Sequence, residues 1–165
     1  NMALLFITPQ EITNTTVLGG NVDVNKYEFF IESVQFSVIE PLLGTELYDK
    51  IVTDVTNQTI SGNYLTLYTE FVKPITKNEA LAEYIEVAGL SVNNGGVFKH
   101  APESAEIATN KEVEALAGKY HHLAQMCVQR FEKWICNNTI TEYKRHQDEV
   151  NAQNVQTRGG WFLDD

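Results

Sequence analysis

Apolar residues recur at steps of three and four along most of this chain, a spacing that predicts helices. Between Lys26 and Glu40, Tyr27, Phe30, Ile31, Val34 and Val38 form one stripe. Phe29 and Phe36 widen it on a flank, as in a central helix. Pro41 has no N–H to give the preceding turn, so the helix is expected to kink or restart there. Leu43, Leu47, Ile51 and Val55 make a second stripe at steps of four. After a polar loop over 57–63, Tyr64 to Lys73 carries Leu65, Tyr68, Phe71 and Val72 on one side. Pro74 interrupts, and Asn78 to Ala88 resumes with Leu81, Tyr84 and Ile85 in step. The longest predicted helix runs from Thr109 to Asn137, with apolar positions in register from Val113 to Ile135. At about 1.5 Å per residue it is roughly 43 Å long, enough for the spine of a domain.

Local signals mark the ends of these elements. Thr8-Pro9-Gln10-Glu11 and Thr109-Asn110-Lys111-Glu112 are capping boxes, the first with proline at the first helical position. The helix begun at Pro9 should end by Gly19-Gly20, and Val22 to Lys26 reads as a loop. Ala3 to Ile7 is a strand-like arm. Leu90-Ser91-Val92 alternates, Asn93-Asn94-Gly95-Gly96 is a strong turn and Val97-Phe98 returns, which predicts a β-hairpin over about 90–99. A short helix is expected from Thr141 to Glu149. The expected fold class is therefore mainly α: a small helical bundle with one long C-terminal spine helix, an inserted hairpin and extended terminal arms. Residues 1–150 would form one domain and 151–165 an interaction tail.

Composition narrows the function classes. The chain has 165 residues, 43% hydrophobic and 21% charged, as in an ordinary globular domain. No apolar run approaches the roughly 18 residues of a membrane span. The five apolar residues at 3–7 lack a basic leader, so no secretory signal is expected. Twelve basic against 22 acidic residues give a net charge of −10, against a role in gripping phosphates. The charge is uneven. Residues 1–57 hold eight acids and two bases, whereas residues 130–146 hold Arg130, Lys133, Lys144 and Arg145 against Glu132 and Glu142. The two regions are either solvated faces or partners in a head-to-tail contact between copies.

Catalytic and metal signatures are missing. There is no phosphate-binding glycine loop, nucleophile elbow, Cys-x-x-Cys or His-Glu-x-x-His. His121 and His122 are adjacent on a helix and point about 100° apart, so they cannot share a metal. Glu83 and Glu86 sit one turn apart on what reads as a solvated face. Cys127 and Cys136 fall on opposite faces of one helix, too far apart to bond. Neither an enzyme nor a cofactor is expected. Two features do exceed plain packing. In Arg158-Gly159-Gly160-Trp161-Phe162-Leu163, three large apolar residues must fold back on their own domain or dock on another surface. The hairpin, with Asn94 at its tip and Val97 and Phe98 on its return, either caps the domain or reaches a partner.

The arrangement resembles the head–tail connector proteins of tailed bacteriophages, the adaptor or head-completion proteins that form a ring beneath the portal. Within them it is similar to the ring proteins of crAss-like phages that infect Bacteroides. The residues that carry the resemblance are Thr8-Pro9-Gln10-Glu11-Ile12, then Ile31, Gln35 and Ile39, then Glu40 to Asp49 with Leu43-Gly44-Thr45-Glu46-Leu47-Tyr48. The turn at 93–98, the long helix after Thr109 and the aromatic tail complete it. The resemblance implies a non-enzymatic protein of the virion neck. It would form a homo-oligomeric ring, typically of twelve copies, with the portal and tail or other neck proteins as partners. DNA would pass through the channel unread, and no membrane or cofactor would be involved. The interface residues expected are Arg158, Trp161, Phe162, Leu163, Asn94, Val97, Phe98, Arg130, Lys133 and Arg145. The other reading of the sequence is a helical adaptor that binds one partner without assembling.

Overall fold

In the computed structural model, which describes residues 4–15, 24–90, 98–99, 106–107 and 110–144, the chain is mainly α-helical. Helix α1 (Pro9–Thr15) starts where the capping box places it. The Thr8 N–H donates to Glu11 Oε2 at 2.7 Å, and the Glu11 N–H donates to Thr8 Oγ1 at 3.2 Å. Helix α2 (Val24–Val34) begins inside the expected loop. It continues without a break through a π-helical turn, π1 (Gln35–Ile39), into α3 (Glu40–Leu43). Gly44, at φ 81° and ψ 152°, then turns the chain into α4 (Thr45–Thr56). A side chain there would be strained, although open space surrounds the position. Past α4, Gln58 adopts φ 57°, and the Gln58 and Thr59 N–H groups return to Val55 and Asp54. That is a Schellman closure built without glycine.

The second long run repeats the first. Helix α5 (Gly62–Leu67) passes through a second π-helical turn, π2 (Tyr68–Val72), into α6 (Lys73–Leu90). Each π turn is followed two residues later by a proline, Pro41 or Pro74. The Glu40 N–H reaches the Gln35 carbonyl and the Lys73 N–H reaches the Tyr68 carbonyl, each five residues back. Such a wide turn gives the proline ring room beside the carbonyl that it would otherwise strike. Pro74 thus does not interrupt the helix as expected.

Helix α7 (Asn110–Asn137) is the predicted spine and packs along α6. The two run antiparallel: Phe71 meets Phe131 near one end, while Glu86 reaches His121 further along. The core gathers Tyr27, Ile31 and Val34 of α2, Leu47 and Ile51 of α4, Leu67, Phe71 and Val72, then Ile75 and Leu81 of α6, with Ala117 and Phe131 of α7. The C-terminal turn folds back on this core. Ile140 is buried, the Tyr143 ring meets Phe131, the Tyr64 hydroxyl donates to Glu142, and Lys144 pairs with Glu46.

Four expectations change. Phe29 and Phe36, placed on the flank of the core, are 67% and 65% exposed, because Tyr27, Phe30, Ile31 and Val34 already fill the inward arc. Leu65 and Leu123 are exposed as well, with Leu67 and Ala124 taking the inward positions. Thr141 and Glu142 form a turn rather than the start of a helix. The hairpin over 90–99 is not supported. Leu90, the first residue of the expected alternation, is the last residue of α6, and residues 91–97 lie outside the described residues. Phe98–Lys99 (β1) pairs instead with Glu106–Ile107 (β2), two residues a side and antiparallel, Phe98 opposite Ile107.

Candidate interaction site

The most elaborate polar arrangement holds the arm at residues 4–8. A buried glutamine must satisfy its amide, and Gln35 does so with the arm's backbone. Its Oε1 accepts the Phe6 N–H at 2.8 Å, and its Nε2 donates to the Leu4 carbonyl at 2.9 Å. One side chain thereby replaces a neighbouring strand. The Tyr68 hydroxyl donates to the Phe6 carbonyl at 2.9 Å from the other side. Gln35 opens π1 and Tyr68 opens π2, so both π turns grip the same arm. The Phe6 ring is buried edge-on to Tyr48 and Tyr68, with centroids at 5.5 and 5.8 Å. Lys73 closes the arrangement, 2.8 Å from Glu11 and over the Tyr68 ring. Burial alone would raise the Glu11 pKa, but Lys73 and the Thr8 hydrogen bonds outweigh it and the net shift is downward. Leu43, Leu47 and Tyr48 flank the Gly44 joint beside this seat, and all three are buried.

A second cluster links α6 to α7. His121 Nδ1 lies 2.8 Å from Glu79 Oε1, and its Nε2 lies 3.0 Å from Glu86 Oε1. Burial alone would lower the His121 pKa, but hydrogen bonds to both carboxylates and their charge raise it overall. Glu83, between the two acids on α6, is half-buried rather than solvated. Burial first, and then the Glu79 charge, raise its pKa. Among the described residues no group of three His, Cys, Asp or Glu side chains is placed to hold a metal ion.

Two outward faces carry unlike charge. On α2 and π1, Phe29 and Phe36 stand exposed, with Glu28 and Glu32 of α2 and Glu40 at the start of α3 half-exposed near them in sequence. On α7, Lys119, Leu123, Met126, Arg130 and Lys133 are all exposed and follow steps of four and three, a heptad seam turned to solvent. The Arg130 guanidinium leans over the Phe71 ring at 5.8 Å. Of the interface residues read from the sequence, Arg130 and Lys133 thus share one face. Phe98 lies in the β1–β2 ladder. Asn94, Val97, Arg145, Arg158, Trp161, Phe162 and Leu163 lie outside the described residues.

The match to known families falls on this same framework, over residues 39–152, more than two thirds of the chain. The chain belongs to the family of unknown function DUF6712. Neither a curated protein nor a solved structure matches it. The DUF6712 match takes in the Gly44 joint, π2, the His121 cluster and the α7 seam. The arm, α1 and α2 precede it, and the Trp161-Phe162-Leu163 segment follows it. Sequence reasoning named Gln35 only as part of the resemblance and missed its hold on the arm, and it missed the His121 cluster. The first had a signal, since Gln35 is a polar residue one step from the apolar stripe of α2. The second had half of one, the spacing of Glu79, Glu83 and Glu86 along one side of α6.

Proposed function

We propose that this DUF6712 chain is a structural protein of the tailed-phage neck. Copies associate head to tail into a ring, typically of twelve, that joins the portal to the tail and extends the DNA channel. The observation that carries this reading is the pair of unlike outward faces on one chain. An acidic aromatic face and a basic apolar face on one chain complement each other between copies. A heterologous contact between them repeats from copy to copy and closes as a ring when the rotation allows. Of the residues that carry the resemblance, Leu43, Leu47 and Tyr48 are buried about the Gly44 joint beside the arm's seat, which fits a shared architecture. The net charge of −10 suits a channel wall along which DNA slides without sticking. In this reading the protein works without catalysis or cofactor, at the head–tail junction of the virion. Its partners are copies of itself, the portal and neighbouring neck or tail proteins. The tail 151–165 docks on an adjacent subunit or the portal through Trp161, Phe162 and Leu163.

The test is light scattering across a concentration series, with negative-stain images of each peak. Closed rings are expected. Deleting residues 158–165 should leave a folded chain that assembles poorly or no longer retains portal protein. A full-length chain that stays monomeric and captures no portal protein overturns the reading.

A further inference from the structure

The geometry points to one specific contact for self-association: the α7 seam of one copy packs along the α2–π1 stripe of the next. This rests on the ring reading and adds the two surfaces that build it. The seam runs Lys119, Leu123, Met126, Arg130, Lys133, with bases at both ends and two large apolar residues in the middle. The stripe carries Phe29 and Phe36, flanked by Glu28, Glu32 and Glu40. Residues 119–133 and 28–40 each cover about 20 Å of helix at 1.5 Å per residue, so the two match in length. They match in chemistry as well. The phenylalanine rings face Leu123 and Met126, while three carboxylates meet three cations at the rim. Aromatic and methionine side chains at the centre and complementary charge at the edge are the usual anatomy of a specific interface. The two surfaces lie on different helices of one chain, so the contact is heterologous and leaves a pair with a free stripe on one copy and a free seam on the other.

Charge reversal tests this on the full-length chain. Variant one is Lys119→Glu with Lys133→Glu, and variant two is Glu28→Lys with Glu32→Lys. Each places like charges across the contact, and each should weaken self-association about tenfold or more in sedimentation velocity. Mixed one to one, the reversed seam of the first meets the reversed stripe of the second, and their unaltered surfaces also match. Association should return to the wild-type level. All four positions are at or near the surface, and unchanged unfolding midpoints establish that the variants fold. If the wild type forms rings and either variant still does, the surface assignment is overturned and the neck-ring reading stands. If the wild type forms open chains that the variants abolish and the mixture restores, the contact stands and the ring reading falls. A wild type that stays monomeric up to about 1 mM overturns the contact outright.

Discussion

At the scale of single residues, the core contains one polar atom that its surroundings do not serve. Tyr27 is fully buried, and its hydroxyl has no hydrogen-bond partner among the described residues. Burial, and then the nearby Tyr84 and Tyr120, push its pKa up to about 12, so the hydroxyl stays neutral at all ordinary pH. An unpaired buried hydroxyl costs stability that a ring of the same shape would not. Tyr27→Phe should therefore stabilise the fold by about 1 kcal/mol, read as a higher urea midpoint with an unchanged slope. Gln35 is the opposite case, because both ends of its amide are engaged. Gln35→Leu keeps the volume but strips the Phe6 N–H and the Leu4 carbonyl of their partners. Each orphaned group costs about 1–3 kcal/mol, and the loss falls on the arm. Faster hydrogen exchange at the Phe6 amide, with α7 amides still protected, is the expected result. Equal loss of protection in both would mean that the arm is integral to the global fold.

At the scale of elements, the α6–α7 contact carries the pH dependence. The His121 pKa is raised, so protonated His121 favours the folded chain. That stability is complete below the ordinary histidine value of 6.5 and disappears as pH rises through the raised one. The ring is about one third exposed, so solvent screens its carboxylate pairs and the effect is no more than about 1 kcal/mol. The unfolding midpoint should fall between pH 6 and pH 9, and His121→Gln should flatten that slope. The remaining titratable groups of the cluster, Glu79, Glu83 and Glu86, are unchanged in the comparison. This pairing was illegible in the sequence because His121 and Glu79 lie 42 residues apart and only the packing of two helices joins them. The capping box at Thr8 was legible because all its atoms lie within four residues. The spine helix was legible because its period holds for 28 residues. Proline was misread at Pro74, since the rule that it breaks a helix assumes an α-helical period throughout. The outward turn of Phe29 and Phe36 was hidden for a related reason: periodicity shows an apolar arc but not which edge of it a neighbour covers.

At the scale of the whole molecule, charge acts on association in two opposed ways, and ionic strength separates them. Each copy carries a net charge of −10, so copies repel at long range. The proposed contact sets three cations of α7 beside three carboxylates of α2 and α3, so copies attract at short range. Salt screens both, but at different distances. The Debye length is about 30 Å at 0.01 M, comparable to the size of the domain, and there the net repulsion is felt in full. At about 0.1 M it is near 10 Å, which removes most of the repulsion between distant charges while pairs a few ångströms apart persist. At about 1 M it is near 3 Å, and the rim pairs weaken too, leaving Phe29, Phe36, Leu123 and Met126 to hold the contact. Self-association should pass through a maximum near 0.1 M salt, measured by sedimentation at the three ionic strengths. The Lys119→Glu and Lys133→Glu chain keeps Arg130 but sets two new carboxylates against the acidic stripe, so its rim is repulsive on balance and its weak residual association should rise with salt. A monotonic fall for the wild type would mean that local attraction dominates even at low salt. A monotonic rise would mean that the charged rim contributes nothing and that the apolar residues alone make the contact.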